Sequence, residues 1–405
     1  MAGVCLLLIL RINLSKWLLF SAFIVMPVPF GISLLYRDPT PFHVSANGLY
    51  INLLDLCVAG MFLLWLSKRW QSPHDTKPFF WYWPLLVPAS LLLLINLASS
   101  FSTPYPFFGF SVVFSNLKML FLFLVVANTF EARSSSATYA VYGILITLAF
   151  EGVVGIEQKV LGAIFTSERL GHSATLSMQI GQQIIHRVAG TLDHPNAFAM
   201  FLNMLIPIGV YFAWQEPRFW VKVFALGAVL LAVIAEVFSG SRSGWIALVG
   251  SLAITAPLWL HRRGQNPIIG MGFVLLAGAI GGGTLFAASS SLRDRLLLDD
   301  HGTAEVRYPL MEVADNMITA NPLTGVGLNH YTHYMTEYDR TADAIAFTYP
   351  YPVHNTFMLV AAETGVPSLL LLLLLFAITL YWCLRAFYRT DGVLMATSLG
   401  IFACL

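Results

Sequence analysis

Four side chains have the types needed to move a group away from a phosphate: His354, Arg187, Arg242 and Arg307. An arginine keeps its charge and offers a planar fork to phosphate oxygens, so several aimed at one point suit a diphosphate. A neutral imidazole beside them suits proton abstraction from an attacking hydroxyl. His354 stands where a polar loop meets an apolar run, in YPYPVHNTFMLVAAETGVPS. Pro350 and Pro352 break regular structure just before it, which predicts a helix beginning at about His354. In the first turn of such a helix, partial dehydration and the positive end of the dipole both disfavour imidazolium. Together the four predict transfer from a lipid-linked diphosphate, with charge stabilised at the leaving group.

Each residue also has a plainer role. His354 alone can be a hydrogen-bonding group at an interface. Arg187, in HRVAGTLDHPNAFAMFL, can snorkel to lipid headgroups. Arg242, in FSGSRSGWIALV, can be a lone charge on lipid phosphate, although a basic residue is disfavoured in a short outer turn. Arg307 can be a solvated side chain paired with Glu305 or Glu312. Asp193 or His194 is expected to cap the helix that follows Arg187, with Pro195 in its first turn. Asp299, Asp300 and His301 are expected to form a polar loop, and no zinc-type spacing occurs. Ser239, Ser241 and Ser243 lack the Gly-x-Ser-x-Gly context of a hydrolase. Cys5, Cys57, Cys383 and Cys404 are scattered through apolar segments, with no disulfide expected. No metal and no cofactor are therefore expected. Asp55, Lys118, Glu151, Glu236 and Glu363 fall in or near apolar runs, where Lys118 is expected to pair with a carboxylate. Glu363 lies near the face opposite His354 and is not expected to orient it.

The elements that must position these residues are membrane helices. The chain has 405 residues, 57% hydrophobic and 11% charged, with mean hydropathy +0.73. Apolar runs of about 20 residues recur, which predicts an all-α polytopic membrane protein, one transmembrane domain over 1–405. Spans are expected at 17–36, 44–66, 79–99, 107–130, 137–157, 195–214, 218–238, 243–260, 267–288 and 355–382. A further run from Gly392 to Leu405 is too short to cross alone, and a truncated chain is expected. The first ten residues lack a convincing cleavage site, so no removed signal peptide is expected.

Counting lysines and arginines places the N-terminus inside and two long loops, 158–194 and 289–353, outside. The second loop carries an amphipathic helix in AEVRYPLMEVADNMI and a turn in NPLTGVGLNHY. Membrane lipids are expected as partners and nucleic acid is not.

Four pieces, RVAGTLDHPNAFA, SGSRSGWIAL, RYPLMEVADNMITANPLTGVG and HNTFMLVAAETGVPS, follow one another on the expected outer side. In order and flanks they resemble the O-antigen ligase and O-antigen polymerase superfamily of bacterial envelope glycosyltransferases. The likeness covers about the second half of the chain, and the first half matches only in topology. It implies about 11–12 transmembrane helices with a large helix-containing periplasmic loop between the ninth and tenth spans. It also implies a multi-pass protein of the bacterial inner (cytoplasmic) membrane, acting without metal at the periplasmic face. The donor would be an undecaprenyl-diphosphate-linked glycan and the acceptor lipid A–core or another glycan, joined with inversion by direct displacement. The resemblance places His354 at the family's essential histidine and Arg187 and Arg242 at the diphosphate arginines, with Arg307 a looser match. The shortened final span and missing twelfth depart from the family pattern. An O-antigen ligase leads; a polymerase extending a lipid-linked glycan and transfer to protein belong to the same class. A lipid-linked oligosaccharide flippase, from another class, would need functional charge near the midplane and access by turns from each face.

Overall fold

A computed structural model of the chain describes residues 2–28, 30–39, 42–71, 79–129, 134–162, 175–180, 183–192, 194–288 and 306–404. Asp193, Asp299, Asp300 and His301 lie outside the described residues. In chain order the elements are α1 (Ala2–Val25), β1 (Gly31–Tyr36), β2 (Gly48–Asn52), α2 (Leu53–Gln71), α3 (Trp83–Phe101), α4 (Pro106–Thr129) and α5 (Ser134–Leu161). Then come β3 (Thr175–Ile180), β4 (Gln183–Val188), α6 (Pro195–Gln215), α7 (Phe219–Ser239), α8 (Arg242–Arg262) and α9 (Pro267–Ala288). The last part holds α10 (Arg307–Ala320), α11 (Tyr331–Tyr338), α12 (Ile345–Thr348), α13 (Thr356–Thr364), α14 (Val366–Arg389) and α15 (Gly392–Cys404). Among the described residues seven helices are long and apolar enough to cross a membrane: α3 to α8 and α14. Shorter apolar stretches lie in α1, α9 and α15. The protein is an all-α polytopic membrane protein, with two antiparallel hairpins, β1–β2 and β3–β4, at helix ends.

Lipid offers helices little hydrophobic reason to associate, so close approach matters more. The core is centred on α5, α6 and α7. On α7, Ala225, Ala228, Ala232 and Ala235 form a buried small-residue seam. Gly152 and Gly155 of α5 meet α7 so closely that an added Cβ would fall within 3 Å of Leu231 and Ala235 respectively. The short α15 packs along α6, burying Ala396 and Leu399. Lys118 finds its carboxylate in Asp55, at 2.7 Å, and also donates to the carbonyl of Tyr50.

Three expected spans change. The first stops at Val25, before Pro27, and Ile32 to Tyr36 form an exposed strand instead of continuing the helix. The second begins at Leu53, because residues 48–52 pair with that strand; Asn52 and Asp55 then cross-cap the helix start. The run expected at 355–382 breaks at Gly365, giving α13 and the spanning helix α14. Gly365 has φ +86°, a backbone region nearly closed to other residues, and Pro367 follows in the first turn of α14. Of the expected outer loops, the first loses residues to α5 and carries the β3–β4 hairpin. In the second, the amphipathic segment is α10, with Leu310, Val313, Ala314 and Met317 buried at helical spacing.

Each end of the helix bundle carries its own set of arginines. At one end Arg218 binds Glu216 and Tyr142, Arg262 binds Asp391 and the Thr390 carbonyl, and Arg263 bonds to Gln215. These contacts tie α5, α6, α7, α8 and α14 together. The opposite end carries the start of α6, the α7–α8 turn and the start of α13, with Arg187, Arg242 and His354.

Candidate functional site

Arg187 comes near the end of β4 and is 5% exposed. Its Nε donates to the carbonyl of Ser239 at 2.7 Å and its Nη2 to Asn196 Oδ1 at 2.7 Å. A buried cation demands such partners, since an unpaired one is strongly destabilising. The segment that delivers it is clamped from α5. Gln158 accepts from the backbone of Ala189 and Gly190 and donates to the Gly190 carbonyl, while Glu151 accepts from Thr191 N–H and hydroxyl. At Gly190, φ is +62° and an added Cβ would meet Glu151 and Phe198 at 2.3 Å.

Gly240, which ends α7, lies directly under Arg187; an added Cβ would come within 3.4 Å of its Nε. Ser241 caps α8 through Gly244 N–H, and Arg242 is the first helical residue, half-buried. Arg187 and Arg242 thus share the α7–α8 turn.

His194, not Asp193, is the described cap of α6. Its Nδ1 accepts from Asn196 N–H at 3.1 Å, on the residue whose side chain Arg187 holds. Partial burial first, then the charges of Arg187 and His354, hold its pKa below the ordinary 6.5.

His354 is not in a helical first turn. Asn355 caps α13, accepting from Phe357 and Met358 N–H, so His354 precedes the helix. Its pKa is still lowered, first by the expected partial dehydration and then by the positive charge of Arg307, which takes the place of the dipole. The hydroxyl of Tyr349 lies 3.3 Å from Nε2. Tyr349 packs on Tyr351, which stacks on His43 at 4.5 Å, so an aromatic wall lines one side of the histidine.

Arg307 opens α10, and the small core built on α10, α11 and α13 carries it toward His354. Leu310, Val313, Ala314 and Met317 pack with Tyr331, Met335 and Ala362, and Tyr331 donates to the Leu310 carbonyl. Among the described residues Arg307 forms no ion pair, Glu312 included. The NPLTGVG turn locks onto the broken helix. Val326 and Gly327 N–H donate to the carbonyls of Ala362 and Glu363, and Val366 N–H to that of Pro322. Gly325 and Gly365 let the backbones touch; an added Cβ at either would stand 2.3 Å from the facing chain. Glu363 is buried, accepts from Tyr331 N–H at 3.1 Å, and its pKa is pushed up to about 7 by dehydration. It ties the loop to α13 and does not touch His354.

The structure therefore links Arg187, His194, His354 and Arg307 in one electrostatic neighbourhood, with Arg242 on the adjoining turn. His194 and Tyr349 were not singled out for chemistry from sequence. The signal for His194 was its place in DHPN after Arg187, where its capping role hid any other. Among the described residues no three His, Cys, Asp or Glu side chains gather as a metal site.

No curated protein matches the chain. Residues 227–373, which run from α7 into α14, match the family model described as O-antigen ligase. Four of the residues above, Arg242, Arg307, Tyr349 and His354, fall inside that match, which covers less than half of the chain and makes this part of it similar to the O-antigen ligase family.

Proposed function

We propose that the protein transfers a glycan from undecaprenyl diphosphate onto lipid A–core oligosaccharide, as an O-antigen ligase at the periplasmic face of the inner membrane. The observation that carries this reading is a histidine held toward its neutral form within the field of fixed arginines, at the helix ends opposite the arginine-stapled end. Neutral His354 takes the proton from an acceptor sugar hydroxyl as that oxygen attacks the anomeric carbon. The bond from that carbon to the diphosphate oxygen breaks and its electron pair leaves with the diphosphate, so the anomeric centre inverts. Arg187, Arg242 and Arg307 supply positive charge where the leaving group gains negative charge. Arg187 is already pinned through Nε and Nη2, which keeps its charge in place at no reorganisation cost during the step.

The test uses purified full chain, undecaprenyl-diphosphate-linked glycan and lipid A–core acceptor, in chelator. His354→Ala is expected to lower transfer by about 10²- to 10⁴-fold while donor binding survives. Transfer at the normal rate by that variant would refute the reading. A lipopolysaccharide gel of a deletion strain separates ligase from polymerase: loss of the whole ladder supports a ligase, and a single remaining repeat a polymerase.

A further inference from the structure

We propose that His194 is a binding residue for the leaving diphosphate, donating a hydrogen bond from Nε2. The inference rests on the transfer reading above and adds a residue to that site. Its basis is the tautomer. The backbone N–H of Asn196 donates to Nδ1, so that nitrogen offers its lone pair and the ring's one proton sits on Nε2. The cap thus aims a fixed N–H donor away from the helix it starts. Position is fixed as tightly, because the side chain of the same Asn196 receives Nη2 of buried Arg187. Guanidinium and imidazole are therefore set on one frame at the start of α6, and the ring remains exposed on the outer side.

The chemistry at that place favours an uncharged donor. The diphosphate gains negative charge as the glycosidic bond breaks, and a preorganised N–H strengthens toward an oxygen that becomes more basic. Arg187 and His354 both lie near enough to His194 to hold its pKa down, so the ring shares their neighbourhood. His194 gives up no proton; the proton of the reaction stays on His354.

Substitutions that keep the cap separate binding from helix starting. Serine and aspartate both cap well, but serine is too short to reach and aspartate repels phosphate. His194→Ser is expected to unfold at the wild-type temperature and lose about 10- to 100-fold in kcat, with KM for acceptor unchanged. His194→Asp should fold as well and lose more. Both should also bind sugar-free undecaprenyl diphosphate, used as a competing probe, more weakly than wild type. Wild-type turnover and probe affinity in both folded variants would make His194 a cap only and overturn the proposal. An active His354→Ala protein would sink the transfer reading instead, so the two failures are told apart.

Discussion

Gly365→Ala is the sharpest test of how the loop and the broken helix are joined. At φ +86° and ψ 166° a side chain costs about 1–3 kcal/mol in backbone strain. The new methyl would also stand 2.3 Å from the Leu323 carbonyl oxygen, which cannot retreat easily because Pro322 accepts from Val366 N–H. Relieving such overpacking costs about 1–3 kcal/mol more, so about 4 kcal/mol is expected in all. Gly392→Ala is the control: φ is +62°, but an added Cβ there meets nothing within 4 Å. Its cost is about 1–2 kcal/mol, from backbone conformation alone. The assay is thermal unfolding of both variants in the same detergent, followed by glycan transfer per folded molecule. Gly365→Ala should unfold well below Gly392→Ala. It should also transfer poorly even where folded, because prising Val326 and Gly327 from α13 moves Arg307 and Tyr349 relative to His354. Equal unfolding temperatures together with full transfer would refute the described clasp.

Arg307→Gln should move the acid limb of the transfer–pH profile upward. Arg307 holds the His354 pKa down, so its removal lets imidazolium form at higher pH; an unchanged limb in a pH series of initial rates would discount this effect. Glu363→Gln should flatten part of the stability–pH curve. With a folded pKa of about 7 against an ordinary 4.5, the folded wild type binds more protons over that interval and loses stability as pH rises through it. Unfolding midpoints from pH 4.5 to 8 measure the slope. Lys118→Met should destabilise by about 1–3 kcal/mol by stranding half-buried Asp55, and adding Asp55→Asn should recover most of it in a double-mutant cycle.

Much of the helix inventory was legible in the sequence because lipid leaves so few options: a long apolar run must satisfy its own backbone. The errors came where local chemistry overrode hydropathy. Ile32 and Leu35 look like membrane residues by composition, yet Pro27 ends α1 and the segment pairs with β2. Hydropathy likewise carried the last expected span through Gly365, where the positive φ, Pro367 and the facing Leu323 backbone together make the break. For the candidate site, residue type suggested His354 and the arginines, and the helical pattern of α10 anticipated a helix with Arg307 at its start. What sequence could not supply was contact between distant segments. The bond from Arg187 to Ser239 links β4 to the end of α7 across 52 positions. Dehydration remains the main reason the His354 pKa is lowered, while the second cause moved from a helix dipole to Arg307 on another element.

The clasp between residues 322–327 and 362–366 sets a rule for exchanging this segment with that of a relative. A donor loop grafted from a relative at its visible edges would arrive with its own NPLTGVG counterpart but leave the recipient's broken helix behind. The mismatched halves would leave amide and carbonyl groups of the clasp without partners. Chimeras should instead exchange everything from Arg307 through the first turn of α14 as one cassette, so that both halves of the clasp travel together.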